Sequence, residues 1–296
     1  MKIRAHESFY LRKGWLQKGV KNIKKNNRIF NDKDSNACDV LGIGVNMVKS
    51  LKYWLLATGV AQEVTESNKR IMKITELGDL IDKYDKFYEE IGTNMIIHYK
   101  LATNKEDATA WYWLFNEYDA NVIDKEQFVQ YFGQYVKYNK KDKESVGESE
   151  KVLTDEFNCI IKTYIISDKD DDPEETKICP LSELGLISLY DVKKKEYRKT
   201  PTVVEDIHPL IAFAIICDRI NGRKEIRINE ICSDKCSFGK VFNMTRTSII
   251  LVLDKIAKLG LIKLNRTAGL DVINIIKPLT FLEALEMYYK SLNGEI

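Results

Sequence analysis

The chain has 296 residues, 44% of them apolar and 30% charged, enough for two or three small domains with real cores. Its net charge of +2 hides a segregation: residues 1–80 carry 15 Lys/Arg against 8 Asp/Glu, residues 81–200 carry 18 against 25, and residues 201–296 carry 13 against 11. A polyanion is therefore expected to meet the N-terminal part, while the lack of an apolar leader after Met1 and the shortness of the longest apolar run, Leu210 to Ile216, argue against export and membrane spanning.

In chain order, residues 10–26 read as an amphipathic helix. Trp15, Leu16, Val20 and Ile23 recur at helical spacing, and Lys13, Lys18, Lys21, Lys24 and Lys25 cover the rest. After the polar break Asn26-Asn27, the run Asn31-Asp32-Lys33-Asp34-Ser35 supplies start chemistry for a short helix ending near Leu41. Gly42-Ile43-Gly44 is a tight turn, and a helix from Val45 to Thr58 stops at Gly59, the left-handed C′ position. Val60 to Thr65 and Arg70 to Thr75 read as the strands of a hairpin. Helix, short helix, glycine turn, helix and hairpin is the order of a helix-turn-helix with a wing.

Residues 82–138 read as three aromatic-rich helices, including Trp111, Trp113, Phe128 and Phe132, expected to form a packed core rather than a base-stacking surface. Residues 139–150 form a solvated linker, Glu150 to Ile165 a helix, and Asp168 to Glu175 an acidic loop. A short helix ends at Gly185, and Ser188 to Lys199 is an exposed strand pair. The first pattern then returns. Pro209 opens an apolar helix to Ile220, Ile228 to Cys232 is a short helix, Gly239 marks a loop, and Thr245 to Leu259 is a long helix stopped by Gly260. Strands follow around Asn265-Arg266-Thr267-Ala268-Gly269, and a helix from Thr280 to Leu292 closes the chain. The expected fold is mainly α with small β wings. N- and C-terminal winged helix-turn-helix units, 1–81 and 201–296, flank a helical middle domain, 82–138, and a segment of linker, helix, acidic loop and short strands, 139–200.

A recognition helix offers polar side chains on one face and buries the other. Asn46, Lys49, Ser50 and Tyr53 share such a face, with Lys13, Lys52 and Arg70 as cations nearby. In the C-terminal unit Thr245, Arg246, Thr247 and Ser248 crowd the helix start, and Arg266 sits at the wing tip. These twelve are the expected DNA contacts, although winged helices also serve as protein–protein modules. His6-Glu7 could move a proton or bind a metal, but more simply orients a terminus. His98 reads as a core histidine and His208 as a helix-start residue. Cys38 and Cys217 read as small core residues. Cys232 and Cys236 lack a second pair of ligands, so no metal is expected there, and the scattered cysteines fit a reducing cytoplasm. No nucleophile elbow, phosphate loop or dinucleotide fingerprint is present.

Several motifs together resemble a bacterial domain-of-unknown-function family over nearly the whole chain. They are His6-Glu7-Ser8-Phe9, Arg12-Lys13-Gly14-Trp15-Leu16, Leu41-Gly42-Ile43-Gly44-Val45-Asn46-Met47-Val48-Lys49-Ser50, Tyr53-Trp54, Ala108-Thr109-Ala110-Trp111-Tyr112-Trp113 and Pro180-Leu181-Ser182-Glu183-Leu184-Gly185-Leu186-Ile187. Members sit beside phosphoadenosine-phosphosulfate-reductase-like (PAPS-reductase-like) proteins, and the family includes the DNA-nicking component of Ssp-type phosphorothioation systems. The resemblance implies a DNA-binding component that nicks duplex DNA so that sulfur can be inserted into its backbone during phage defence. It implies duplex DNA, PAPS-reductase-like and cysteine desulfurase proteins as partners, and a divalent metal if the chain nicks DNA. It assigns no catalytic residue. A non-catalytic adaptor that recruits the sulfur-transfer partner, or a winged-helix transcriptional regulator, are the alternatives.

Overall fold

A computed structural model describes residues 1–32, 36–140, 149–166, 178–267 and 270–295. The run Lys33-Asp34-Ser35, most of the expected linker, the acidic loop and the turn residues Ala268 and Gly269 lie outside the described residues. The protein is mainly helical with small antiparallel sheets. It divides into two compact units, residues 1–114 with 118–199, and 115–117 with 200–296.

The first unit begins with an irregular segment in which Arg4, Glu7 and Ser8 take positive φ. α1 (Trp15–Lys25) starts five residues later than its apolar spacing suggests, because Gly14 holds φ 77 and keeps Tyr10 to Lys13 out of the helix. Its apolar stripe is buried as its spacing requires. A Cβ at Gly19 would lie 2.6 Å from Leu55 Cδ1, so this glycine lets α1 lie close on the third helix. α2 (Ala37–Leu41) and the turn through Gly42 lead into α3 (Val45–Ala57). β1 (Ala61–Glu66) and β2 (Lys69–Ile74) pair antiparallel in register Ala61↔Ile74 to Glu66↔Lys69. Ser67 and Asn68, both at positive φ, make the two-residue turn that matches strand twist.

α4 (Glu76–Tyr84) is capped by Thr75, whose hydroxyl accepts from the Gly78 N–H at 3.1 Å. Then come α5 (Ile91–Thr103), α6 (Thr109–Asn116), β3 (Val122–Ile123), α7 (Lys125–Asn139) and α8 (Glu150–Tyr164). The sequence-based boundaries at 81 and 138 fall within α4 and α7, inside this unit. The aromatics of this stretch are core. Trp113 stands edge-on to Phe128 with ring centroids 5.4 Å apart, and Phe128 lies 5.4 Å from Phe157 of α8. β4 (Ile187–Asp191) and β5 (Glu196–Lys199) form the expected strand pair, and the two-residue β3 adds to it in the order β3-β5-β4.

In the second unit α9 (Pro209–Ile220) packs with the last helix. His208 caps α9, with its ring accepting from the Leu210 N–H at 3.2 Å. β6 (Glu225–Arg227), α10 (Ile228–Ser233), α11 (Phe238–Val241), α12 (Arg246–Lys258), β7 (Ile262–Thr267), β8 (Leu270–Ile275) and α13 (Phe281–Leu292) follow, with sheet order β6-β8-β7. Two of these elements correct the sequence reading. β6 has only Ile226 buried, too short a pattern for a period to show. Gly239 is not in a loop but within α11, where a Cβ would meet the Cys232 carbonyl oxygen at 2.1 Å. Its role is close approach to α10. Cys38 is half-buried rather than core, Cys217 is buried, and all six cysteines are free. Among the described residues no helix is long and apolar enough to cross a membrane.

Candidate nucleic-acid interface

The first turn of α3 stands free of a side-chain cap, with Asn46 and Lys49 exposed. Lys49 Nζ lies 3.7 Å from Glu7 Oε1, an exposed and therefore weak pairing. Beside α3, the hairpin tip presents Lys69 and Arg70 to solvent. Lys52, also expected to contact DNA, is tied down. Its ammonium donates to Glu63 Oε1 and to Asn31 Oδ1, each at 2.6 Å. Partial burial opposes the Glu63 carboxylate, yet the Lys52 contact prevails and holds that carboxyl below its usual range.

Ser50 and Tyr53 correct the sequence reading: both are buried and face inward. Helical spacing alone places them with Asn46 and Lys49, but residues 6–9 cover that side of α3. Ser50 Oγ and Trp54 Nε1 both donate to the Phe9 carbonyl, at 3.3 and 3.0 Å. Tyr53 packs edge-on against the His6 ring, 5.8 Å between centroids. Burial first, then the Glu156 carboxylate, pushes its phenol well above the usual range.

His6 does not partner the adjacent Glu7. It is fully buried, with Nε2 3.3 Å from Glu156 Oε1 of α8. Burial opposes an imidazolium here, but Cys159 and the Glu156 carboxylate outweigh it and raise His6 well above its usual range. Burial also raises Cys159, so it stays a thiol and the carboxylate is the charge that matters. The Ser8 N–H donates to His6 Nδ1 at 3.1 Å, which suits the neutral ring, and the buried Nε2 lies near Glu156 without hydrogen-bond geometry. The Arg4 N–H also donates to Glu156. The N-terminal segment is thus bolted between α8 and α3. His98 is likewise a core histidine, 2.8 Å from the Tyr164 hydroxyl.

A second basic feature lies beside α3. An open groove of about 600 Å³ runs between α1 and the 40–47 turn, bordered by Arg12, Lys13, Lys18, Lys21 and Lys25. Lys18 Nζ donates to the Leu41 carbonyl at 3.1 Å and ties the two walls together. The Arg12 guanidinium lies 5.7 and 5.5 Å from the Phe9 and Trp15 ring centroids, and its Nε is buried without an acceptor. Lys13, Lys21 and Lys25 pair with no described carboxylate. Their neighbour Lys24, by contrast, is held by Asp79 and Asp82 at 2.9 and 2.8 Å. Of these groove cations only Lys13 was among the expected contacts. The i, i+3, i+7 spacing of Lys18, Lys21 and Lys25 is the sequence signal for the wall.

In the second unit the expected contacts are more committed. Thr245 caps α12, its hydroxyl accepting from the Ser248 N–H at 3.2 Å and lying 3.0 Å from Ser248 Oγ. Arg246 is bonded to Asp271 and Asn229. Thr247 and Arg266 are exposed.

Among the described residues no three His, Cys, Asp or Glu side chains converge to hold a metal ion.

No curated protein matches the sequence. Two solved structures share the fold. A magnesium-ion-bound SspB crystal structure superposes with a TM-score of 0.82 and an SspB crystal structure with 0.84. Each is 21% identical in sequence and covers 99% of this chain and 89% of the other. At that identity the likeness shows the fold alone. A protein-family model described as "Protein of unknown function (DUF4007)" matches residues 3–289, and the chain belongs to that family.

Proposed function

We propose that the chain is the DNA-binding component of a bacterial DNA phosphorothioation system and that residues 1–74 act as a winged helix on duplex DNA. The observation that carries this reading is the juxtaposition of an exposed α3 first turn, Asn46 and Lys49, with a hairpin whose tip bears Lys69 and Arg70. An asparagine at a helix start can read an adenine edge, and cations on a wing meet phosphates. The second unit likewise has a long helix followed by a strand pair, α12, β7 and β8, with Thr247 and Arg266 as its open polar groups. The fold likeness to SspB and the family membership support the phosphorothioation setting, with PAPS-reductase-like and cysteine desulfurase proteins as partners.

A second reading, that the chain also nicks one strand, is favoured by its likeness to a protein crystallised with a magnesium ion. One assay separates the two. The full chain is incubated with supercoiled plasmid, with and without Mg²⁺ or Mn²⁺. Gel retardation without relaxed circles supports a binding component that recruits its partner. Metal-dependent relaxed circles assign the nick to this chain. Plasmid that is neither retarded nor relaxed refutes both.

A further inference from the structure

The groove beside α1 has two unlike walls. One is cationic, with Lys13, Lys21 and Lys25 unpaired with any described carboxylate. The other is apolar: Val40 is 56% exposed, and Ile43 and Met47 are half-buried. Duplex DNA suits the first wall better than the second, because its base faces are stacked inside and only base edges reach its grooves. A separated strand satisfies both, since it carries phosphates on one side and unstacked bases on the other. Lys21 and Lys25 are one helical turn apart, about 6 Å along the axis, the scale of neighbouring phosphates on an extended strand.

We propose that this groove holds a separated DNA strand, with its phosphates along Lys21 and Lys25 and its bases against Val40, Ile43 and Met47. The proposal rests on the reading of the chain as a DNA-binding protein and adds a second, strand-selective site beside the duplex-facing α3 and hairpin. Arg12 also borders the groove beside Lys13, its guanidinium 5.7 and 5.5 Å from the Phe9 and Trp15 ring centroids.

The test is fluorescence anisotropy on the full chain with a labelled thymidine oligonucleotide of about 12 nucleotides, within the site sizes of single-strand binders. The same length of abasic backbone and the corresponding duplex serve as comparisons. The thymidine strand should bind at least about fivefold tighter than the abasic strand, which has the same charge but no bases. Replacing Lys21 and Lys25 together by Ala should lower the single-strand salt slope by about 1.4, at about 0.7 per phosphate, and leave duplex binding nearly unchanged. Val40→Ser should weaken the thymidine strand and not the abasic one. All three substituted side chains lie on the surface, and thermal melting of each variant confirms that it is folded. Equal binding of thymidine and abasic strands, or a duplex loss matching the single-strand loss, overturns the proposal. Duplex binding without any oligonucleotide binding defeats this inference alone. Failure of both DNAs to bind defeats the DNA reading itself.

Discussion

His6 and Glu156 make a demanding contact, because both side chains are buried and each is left as a costly orphan if the other is removed. Glu156→Gln is expected to destabilise the first unit by about 3 kcal/mol in chemical denaturation, the scale of breaking one partner of a buried pair. The pair also sets a pH dependence. The folded protein holds His6 protonated above the pH at which the unfolded chain releases that proton. Its contribution is therefore fully present below about pH 6.5 and is lost as pH rises through the folded value. The stability gap between the natural protein and His6→Gln should be larger at about pH 6 than at about pH 9. An identical gap at both values means that His6 is neutral in the fold and that Ser8 and packing alone hold it. No sequence spacing links residue 6 to residue 156, so the adjacent Glu7 is the only acidic partner that the sequence suggests.

At the scale of elements, glycines decide where helices start, stop and touch. Gly239 lets α11 lie against the backbone of α10, where a Cβ has no room. Gly239→Ala should cost about 1–3 kcal/mol, the range for overpacking, and lower the melting temperature of the second unit. Gly185→Ala, with open space around it but φ 59, should cost less, because only the backbone conformation is penalised. Equal losses at the two positions argue against the packing role given to Gly239. Elements with a full apolar period were legible in the sequence: α3 stopping before Gly59, α9 opened by Pro209 and α12 stopping before Gly260 all fall within about a residue of their expected bounds. β3, β6 and α11 were not, since two to four residues carry no period. The α3 face was half legible. Period 3.6 groups Asn46, Lys49, Ser50 and Tyr53, but which of them reach solvent depends on where residues 6–9 fold back. That placement is set by a turn-rich segment with positive φ at Glu7 and Ser8, and no local pattern announces it.

For the whole molecule, charge is the property that joins sequence to function. The excess of cations in residues 1–80 is real in composition, but much of it is internally neutralised: Lys24, Lys52, Lys73 and Arg28 each face a carboxylate. Among the described residues, what remains outward lies at the hairpin tip, at Lys49 of the α3 start, and along the α1 groove. The central claim, that duplex DNA is met by the first unit through α3 and the hairpin, is tested most directly by duplex anisotropy across a salt series with the full chain and two single variants. An interface of about four phosphates should give a slope of log K against log salt of about −4, and Arg70→Ala should reduce its magnitude by about one. Arg246→Ala, whose guanidinium is bonded to Asp271 and Asn229 in the second unit, should leave the slope unchanged. A flat salt response, or a slope that falls for Arg246→Ala and not for Arg70→Ala, contradicts the claim.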